Sequence, residues 1–196
     1  ALGGAAVQTL IELIAGFIAL LAAAVLSQFG VNTHNANHSD REVQQALFRR
    51  HITVSRQTGL PLIVHTRDAE EDTAAIMAEE MGRGAYTGVI HCFTASGAFA
   101  DRALELGLYI SISGIVTFRN ATDLQETAAR LPRERLLIET DAPFLAPVPH
   151  RGKTGEPGFV ADTAAFLARL RGEELEDLQR YTAGNFHRLF SKTTAA

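Results

Sequence analysis

From Glu42 onward, short and wholly apolar runs alternate with longer stretches in which apolar residues recur every three or four positions. "REVQQALFRRHITVSRQTG" carries Val43, Leu47, Ile52 and Val54 and ends on Gly59, which predicts an amphipathic helix with a glycine C-cap. "LPLIVHT", "TGVIHCF", "YISISG" and "RLLIETDAP" are brief runs rich in branched side chains and predict buried strands. Between them, "DAEEDTAAIMAEEMG" opens on acids and closes at Gly82, and "SGAFADRALELG" closes at Gly107. "NATDLQETAARLP" offers Asn120 or Thr122 as a cap, so each of these three stretches predicts a helix. Two further helices are expected at about 160–171 and 175–190.

Strands that alternate with helices and are apolar along their whole length imply parallel pairing with both faces buried. In such a fold the active site lies at the C-terminal ends of the strands. Polar residues stand at those ends here: His65 after "LPLIV", His91 after "TGVI", and Glu139 and Asp141 after "RLLI". His65, His91 and Asp141 are therefore expected to converge on one rim. Two imidazoles and a carboxylate suit a divalent cation such as zinc or manganese, which polarises a phosphoryl oxygen and acidifies bound water. For any one of them the alternative is an ordinary loop residue with satisfied hydrogen bonds.

Before Glu42 the pattern differs. Residues 10–26, "LIELIAGFIALLAAAVL", are nearly all apolar. The run is shorter than the ~20 residues of a membrane span, contains Glu12 and Gly16, and follows no Lys or Arg. It reads as buried structure, a helix running into a strand, with a membrane anchor as the alternative. The next stretch, "VLSQFGVNTHNANHS", crowds Gln28, Asn32, His34, Asn35, Asn37 and His38 behind an apolar run.

Composition narrows the functions. A chain of 196 residues, 46% hydrophobic and 20% charged, holds one globular domain with a sizeable core. A net charge of −4 provides no broad basic face, so a nucleic acid would be held locally, through a metal or a few cations. The single cysteine, Cys92, excludes an intrachain disulfide and fits a reducing cytoplasm. Its neighbours Ile90 and Phe93 are apolar, so it reads as core and not as a nucleophile.

Arg67 and Asp68 follow His65 and could orient it or contact an anion, although Asp68 could equally cap a helix. Arg151 and Lys153, in "PHRGKTGEPG", could hold a phosphate or belong to a solvated loop. His51 and His187 fall on helices and read as structural. The acids of "AEED" and "RGEELED" read as solvated helix faces.

Taken in order, "GLPLIVHTRDAEEDT", "GVIHCFTAS", "YISISGIVTFRNA", "RLLIETDAPFLAPVPHRGKTGEP" and "GNFHRLFS" resemble the TatD family of metal-dependent deoxyribonucleases, among the amidohydrolase-like hydrolases. The resemblance runs from about Gly30 to Ser191 and is close from Gln44. It implies a distorted (β/α) TIM-type barrel with divalent metal (Zn, Mn or Mg, two ions in intact members) at the strand C-terminal ends. The family places an HxH on the first strand, a Glu at the end of the fourth, one His each on the fifth and sixth, and an Asp on the eighth. His65, His91 and Asp141 match the last three of these.

The departures lie upstream. No HxH occurs in residues 1–30, and "SQFGVNT" sets Gln28 where the family has a metal-bridging Glu and Asn32 where it has an Asp. An amide binds a divalent cation more weakly than a carboxylate does. His34 and His38 fall in the following loop and do not replace the HxH. The resemblance thus implies an incomplete barrel of about strands four to eight: an apolar segment at 1–27 and a single barrel portion at 28–196. Such a half-barrel has an open edge and an apolar face that self-association or other strands would cover.

The function expected is hydrolysis of phosphodiester bonds in DNA. His65, His91, Asp141 and, weakly, Gln28 hold metal, Asp141 also takes a proton from water, and Arg67, Arg151 and Lys153 contact phosphate. The alternative is an inactive or truncated relative that acts as a binding or assembly module.

Overall fold

The computed structural model describes residues 41–193. Gln28, His34, His38 and the apolar run at 10–26 lie outside them. Four short strands, β1 (Leu62–Val64), β2 (Gly88–Ile90), β3 (Tyr109–Ile112) and β4 (Leu136–Ile138), form one sheet in the order β1-β2-β3-β4. Every pairing is parallel. Among the described residues, six α-helices accompany them: α1 (Arg41–Thr58), α2 (Glu70–Arg83), α3 (Gly97–Glu105), α4 (Thr122–Arg130), α5 (Val160–Arg171) and α6 (Leu175–Leu189). The crossovers α2, α3 and α4 join consecutive strands, as parallel pairing requires. Among the described residues, no helix is long and apolar enough to cross a membrane.

Period-two alternation divides each strand between two apolar layers. Ile90, Ile110, Ile112, Leu136 and Ile138 face the helices and join the main core with Phe93, Phe99, Leu108 and Met77. Val89, Tyr109 and Leu137 point the other way and meet Phe186, Leu189 and Phe190 at the end of α6. The second face carries Ser111, His91 and Glu139 farther along the same strands. One face therefore has an apolar layer at the strand N-terminal ends and polar chemistry at the C-terminal ends.

Several local expectations need correction. The helix expected at 41–59 forms and ends at Gly59, whose φ of 66° suits a glycine C-cap, but its buried stripe is a different one. Ile52 is fully buried, whereas Val43, Leu47 and Val54 are exposed. At 100° per residue, the stripe Phe48, Ile52 and Ser55 lies about 120° around the helix from Val43, Leu47 and Val54, and only the former faces the core. Helix α2 runs past Gly82 and stops at Gly84. Neither Asn120 nor Thr122 caps α4; its N-cap is Ala121 and has no side-chain bond. Asp68 does not cap α2, whose N-cap is Ala69. Glu173 is not solvated: Arg133, Arg171 and Tyr181 hold its covered carboxylate.

Glu80, on α2, is only 2% exposed, yet its cover consists of the arginine side chains Arg49, Arg56 and Arg83. The Arg56 hydrogen bond, aided by Arg83 and Arg49, outweighs burial and holds this carboxyl below the usual value of 4.5. A depressed folded value stabilises the fold above the unfolded value, and the gain is lost as pH falls from 4.5 through the folded value. Glu80→Gln is therefore expected to flatten the acid limb of the stability curve while leaving its slope near neutrality unchanged. Urea melts across the acid range would read this, and an acid limb equally steep in the variant would contradict it.

Candidate metal centre

The sheet ladder carries the chain to the site. His91 N–H donates to Val64 O at 2.8 Å, and Glu139 N–H donates to Ile112 O at 3.0 Å, each one residue beyond its strand. The backbone of both residues is thus held by the ladder before their side chains meet. After His91 the chain turns sharply, with Cys92 at a φ of 47°. This left-handed turn aims the Cys92 N–H at Glu139 Oε1, 3.0 Å away.

The carboxylate so held is fully buried and lies 2.7 Å from His91 Nδ1. The other ring nitrogen, His91 Nε2, is 3.4 Å from Asp141 Oδ1, and Asp141 is partly open to solvent. One donor atom from each of His91, Glu139 and Asp141 lies within 4.8 Å of the others. His65, at the end of β1, presents its ring 5.9 Å from that of His91, outside this three-residue group.

Two features fit the group to a divalent cation. Among the described residues, His91 Nδ1 and Glu139 Oε2 are buried without an aligned hydrogen-bond partner, an unfavourable state that a ligated ion would relieve. The two carboxylates also set a strongly negative field. Burial alone would lower the His91 imidazole, but Asp141 and Glu139 overcome it and raise its pKa to about 10. The same field attracts a cation, which competes with that proton for the imidazole. His65 is shifted the opposite way, below 6.5, by desolvation and by repulsion from His91. The shift favours the neutral ring, the form that can ligate a metal.

Three non-glycine residues have left-handed backbone among the described residues: Asp68, Cys92 and Leu145. Each follows a strand end that carries a site residue: His65, His91 or Asp141. Such conformations cost of order 1–3 kcal/mol each and cluster at functional sites. The loop after Asp141 is further held by close backbone approach. A Cβ on Gly114 would stand 2.4 Å from Leu145 O and 3.0 Å from Pro147 N. Gly114→Ala is expected to displace this loop and destabilise the fold by about 1–3 kcal/mol, read as a lower urea midpoint. An unchanged midpoint would show that the loop yields without cost.

The cationic candidates lie on the loops that follow β1 and β4. Arg67 is highly exposed and lines an open polar cleft with Thr66, Glu70 and Thr94. Arg151 lies with its guanidinium carbon 4.5 Å from the centroid of the Phe118 ring. Lys153 is exposed on the same loop as Arg151. Cys92 is buried, and burial pushes its thiol up to about 12, so it is poorly suited to act as a nucleophile. Of the residues expected at the site, His91 and Asp141 meet, His65 stands beside them, and Gln28 lies outside the described residues.

Glu139 stands among the strand-end polar residues noted in the sequence but not among those expected to hold metal. Its sequence signal was its place at the end of β4, two residues before Asp141; its burial and its bond to Cys92 were not visible.

Comparison with known proteins bears on this arrangement. The family described as TatD related DNase matches residues 6–191. The chain belongs to the TatD family. The match begins well upstream of Gly30, where the resemblance is expected to start, and takes in most of the apolar N-terminal segment. The chain is 52% identical over 147 residues to the Escherichia coli K12 protein named uncharacterized metal-dependent hydrolase YcfH, covering 75% of this chain and 55% of that one. It is 34% identical over 163 residues to a Klebsiella pneumoniae protein named 3'-5' ssDNA/RNA exonuclease TatD, covering 80% of this chain and 61% of that one. Among solved structures, YJJV, a TatD homolog from Escherichia coli K12, superposes with a TM-score of 0.72 at 28% identity. That superposition covers 80% of this chain and 61% of the other. The chain thus spans less than two thirds of the length of these TatD-family relatives.

Proposed function

We propose that the chain is the site-bearing, C-terminal part of a TatD-type metal-dependent phosphodiesterase that acts on DNA. The observation that carries this reading is the group His91, Glu139 and Asp141, its donor atoms within 4.8 Å, at the C-terminal ends of β2 and β4. A bound divalent cation would polarise a phosphoryl oxygen and acidify water. His91, Asp141 and Glu139 would hold it, with His65 beside them and Gln28 as a weaker contributor.

The chain's own residues divide the remaining work. Asp141, open on one side, takes the proton of the attacking water. Glu139, 2.7 Å from His91 Nδ1, supplies the negative charge that this imidazole faces. Arg67, Arg151 and Lys153 meet phosphate at the rim. The Klebsiella relative's name supports a nucleic-acid substrate.

The domain reading proposed alongside is an apolar segment at 1–27 followed by a barrel portion at 28–196, about strands four to eight. Its support is a four-stranded parallel sheet that is open at β1 among the described residues. The exposed stripe of Val43, Leu47 and Val54 supports cover by further strands or by self-association. A reducing cytoplasm fits the lone Cys92. A non-catalytic binding module is favoured by one observation, the place of His65 outside the three-residue group.

Elemental analysis for metal, paired with a nuclease assay in manganese or magnesium, tests the proposal. Bound metal with cleavage is the expected result. No metal and no cleavage would end the enzyme reading and leave the binding module.

A further inference from the structure

Phe144 is 69% exposed, more than any other large hydrophobic residue described. It stands three residues after Asp141, and its backbone is tightly held. Phe144 N–H donates to Asp141 O at 2.7 Å, and Gly155 N–H donates to Pro143 O at 2.8 Å. A Cβ on Gly155 would come within 2.7 Å of Phe144 O, so only glycine lets the returning chain lie so close. Leu145, next in sequence, has a φ of 54°, and its carbonyl abuts Gly114. A mobile loop could fold a phenylalanine inward; here the backbone is braced on both sides while the ring stays in water.

The surroundings select the ligand. Between Asp141 and Glu156 the charged residues are Arg151 and Lys153, both basic and both exposed. Arg151 already lies against one aromatic ring, Phe118. An exposed aromatic and two exposed cations on one braced loop, which follows the candidate site residue Asp141, match the chemistry of single-stranded nucleic acid, in which bases stack and phosphates pair.

We propose that Phe144 is a stacking platform for a nucleobase of a single-stranded substrate, with Arg151 and Lys153 engaging the neighbouring phosphates. The inference rests on the nuclease reading and adds which face of the base is held and by which residue.

The test uses the full chain with manganese and fluorescence anisotropy of two labelled probes, a short thymidine oligonucleotide and an abasic backbone of equal length. Phe144→Ala is expected to weaken thymidine binding about five- to a hundredfold and to leave abasic binding within about twofold. Phe144→Trp should restore the affinity and Phe144→Leu should not. No loss with Phe144→Ala, or an equal loss on both probes, overturns the proposal. A collapse of the melting temperature in all three variants marks a structural role and also overturns it. Parent protein that cleaves and binds thymidine as well as Phe144→Ala does sinks the stacking inference alone. Parent protein that neither binds nor cleaves DNA sinks the nuclease reading with it.

Discussion

Asp141→Asn is expected to lower metal-supported phosphodiester hydrolysis by about a hundred- to ten-thousandfold, the range typical of losing a positioned acid–base group. The substitution keeps the side chain's size and its place after β4. It removes a negative charge that stands 3.4 Å from His91 Nε2 and the only partly solvent-open carboxylate of the group. Metal affinity should fall as well, because a neutral amide replaces a charged ligand. The change should leave the fold intact, since Asp141 is not part of the packed core. Steady-state rates on an oligonucleotide and on a small phosphodiester, with the thermal melt as a control, would check this. A variant that keeps a tenth or more of the parent rate on both substrates would remove Asp141 from the chemistry.

The position of this site was legible because the strands are so uniformly apolar. In "RLLIETDAP" and "TGVIHCF" the first polar residue marks where the strand ends, and parallel strands bring their ends to one rim. His91 and Asp141 meet for that reason. What the pattern cannot express is which of two apolar stripes a helix buries. Helix α1 carries both Phe48–Ile52 and Val43–Leu47–Val54, and the choice depends on where β1 and α2 lie. Capping was misjudged for a related reason: Asn120 and Thr122 are good caps by type, but the 3-10 turn at Gly114–Thr117 and the Phe118 N–H bond to Ile115 O shape the chain's entry into α4 before them. The closed loop from Pro143 to Gly155 is equally a matter of long-range fit. Gly114 and Gly155 are ordinary loop glycines in the sequence, and only the packed backbone shows that a Cβ would not fit at either.

Glu139 is the clearest case of information absent from the sequence, and it carries the second large expectation. In the chain it is one of two acids near the end of a strand. In the fold it is fully buried, accepts the Cys92 N–H at 3.0 Å and stands 2.7 Å from His91 Nδ1. A buried carboxylate is costly unless it is paired and hydrogen-bonded. Here one oxygen is satisfied by the left-handed turn at Cys92, while the second has no hydrogen-bond partner among the described residues. A group kept in that state is arranged for something it binds, or for the orientation of its neighbour. Glu139→Gln preserves volume and can still accept from Cys92, but it removes the charge facing His91. It is expected to weaken divalent-metal affinity about ten- to a hundredfold, the typical cost of losing a partner that orients or joins a ligand set. Glu139→Leu should do the same and also destabilise the fold by about 1–3 kcal/mol, because the Cys92 N–H is then buried unpaired. Competition with a metal-sensing dye separates affinity from stability, and urea melts read the latter. Unchanged metal affinity in Glu139→Gln would reduce this carboxylate to a structural anchor for the turn at Cys92.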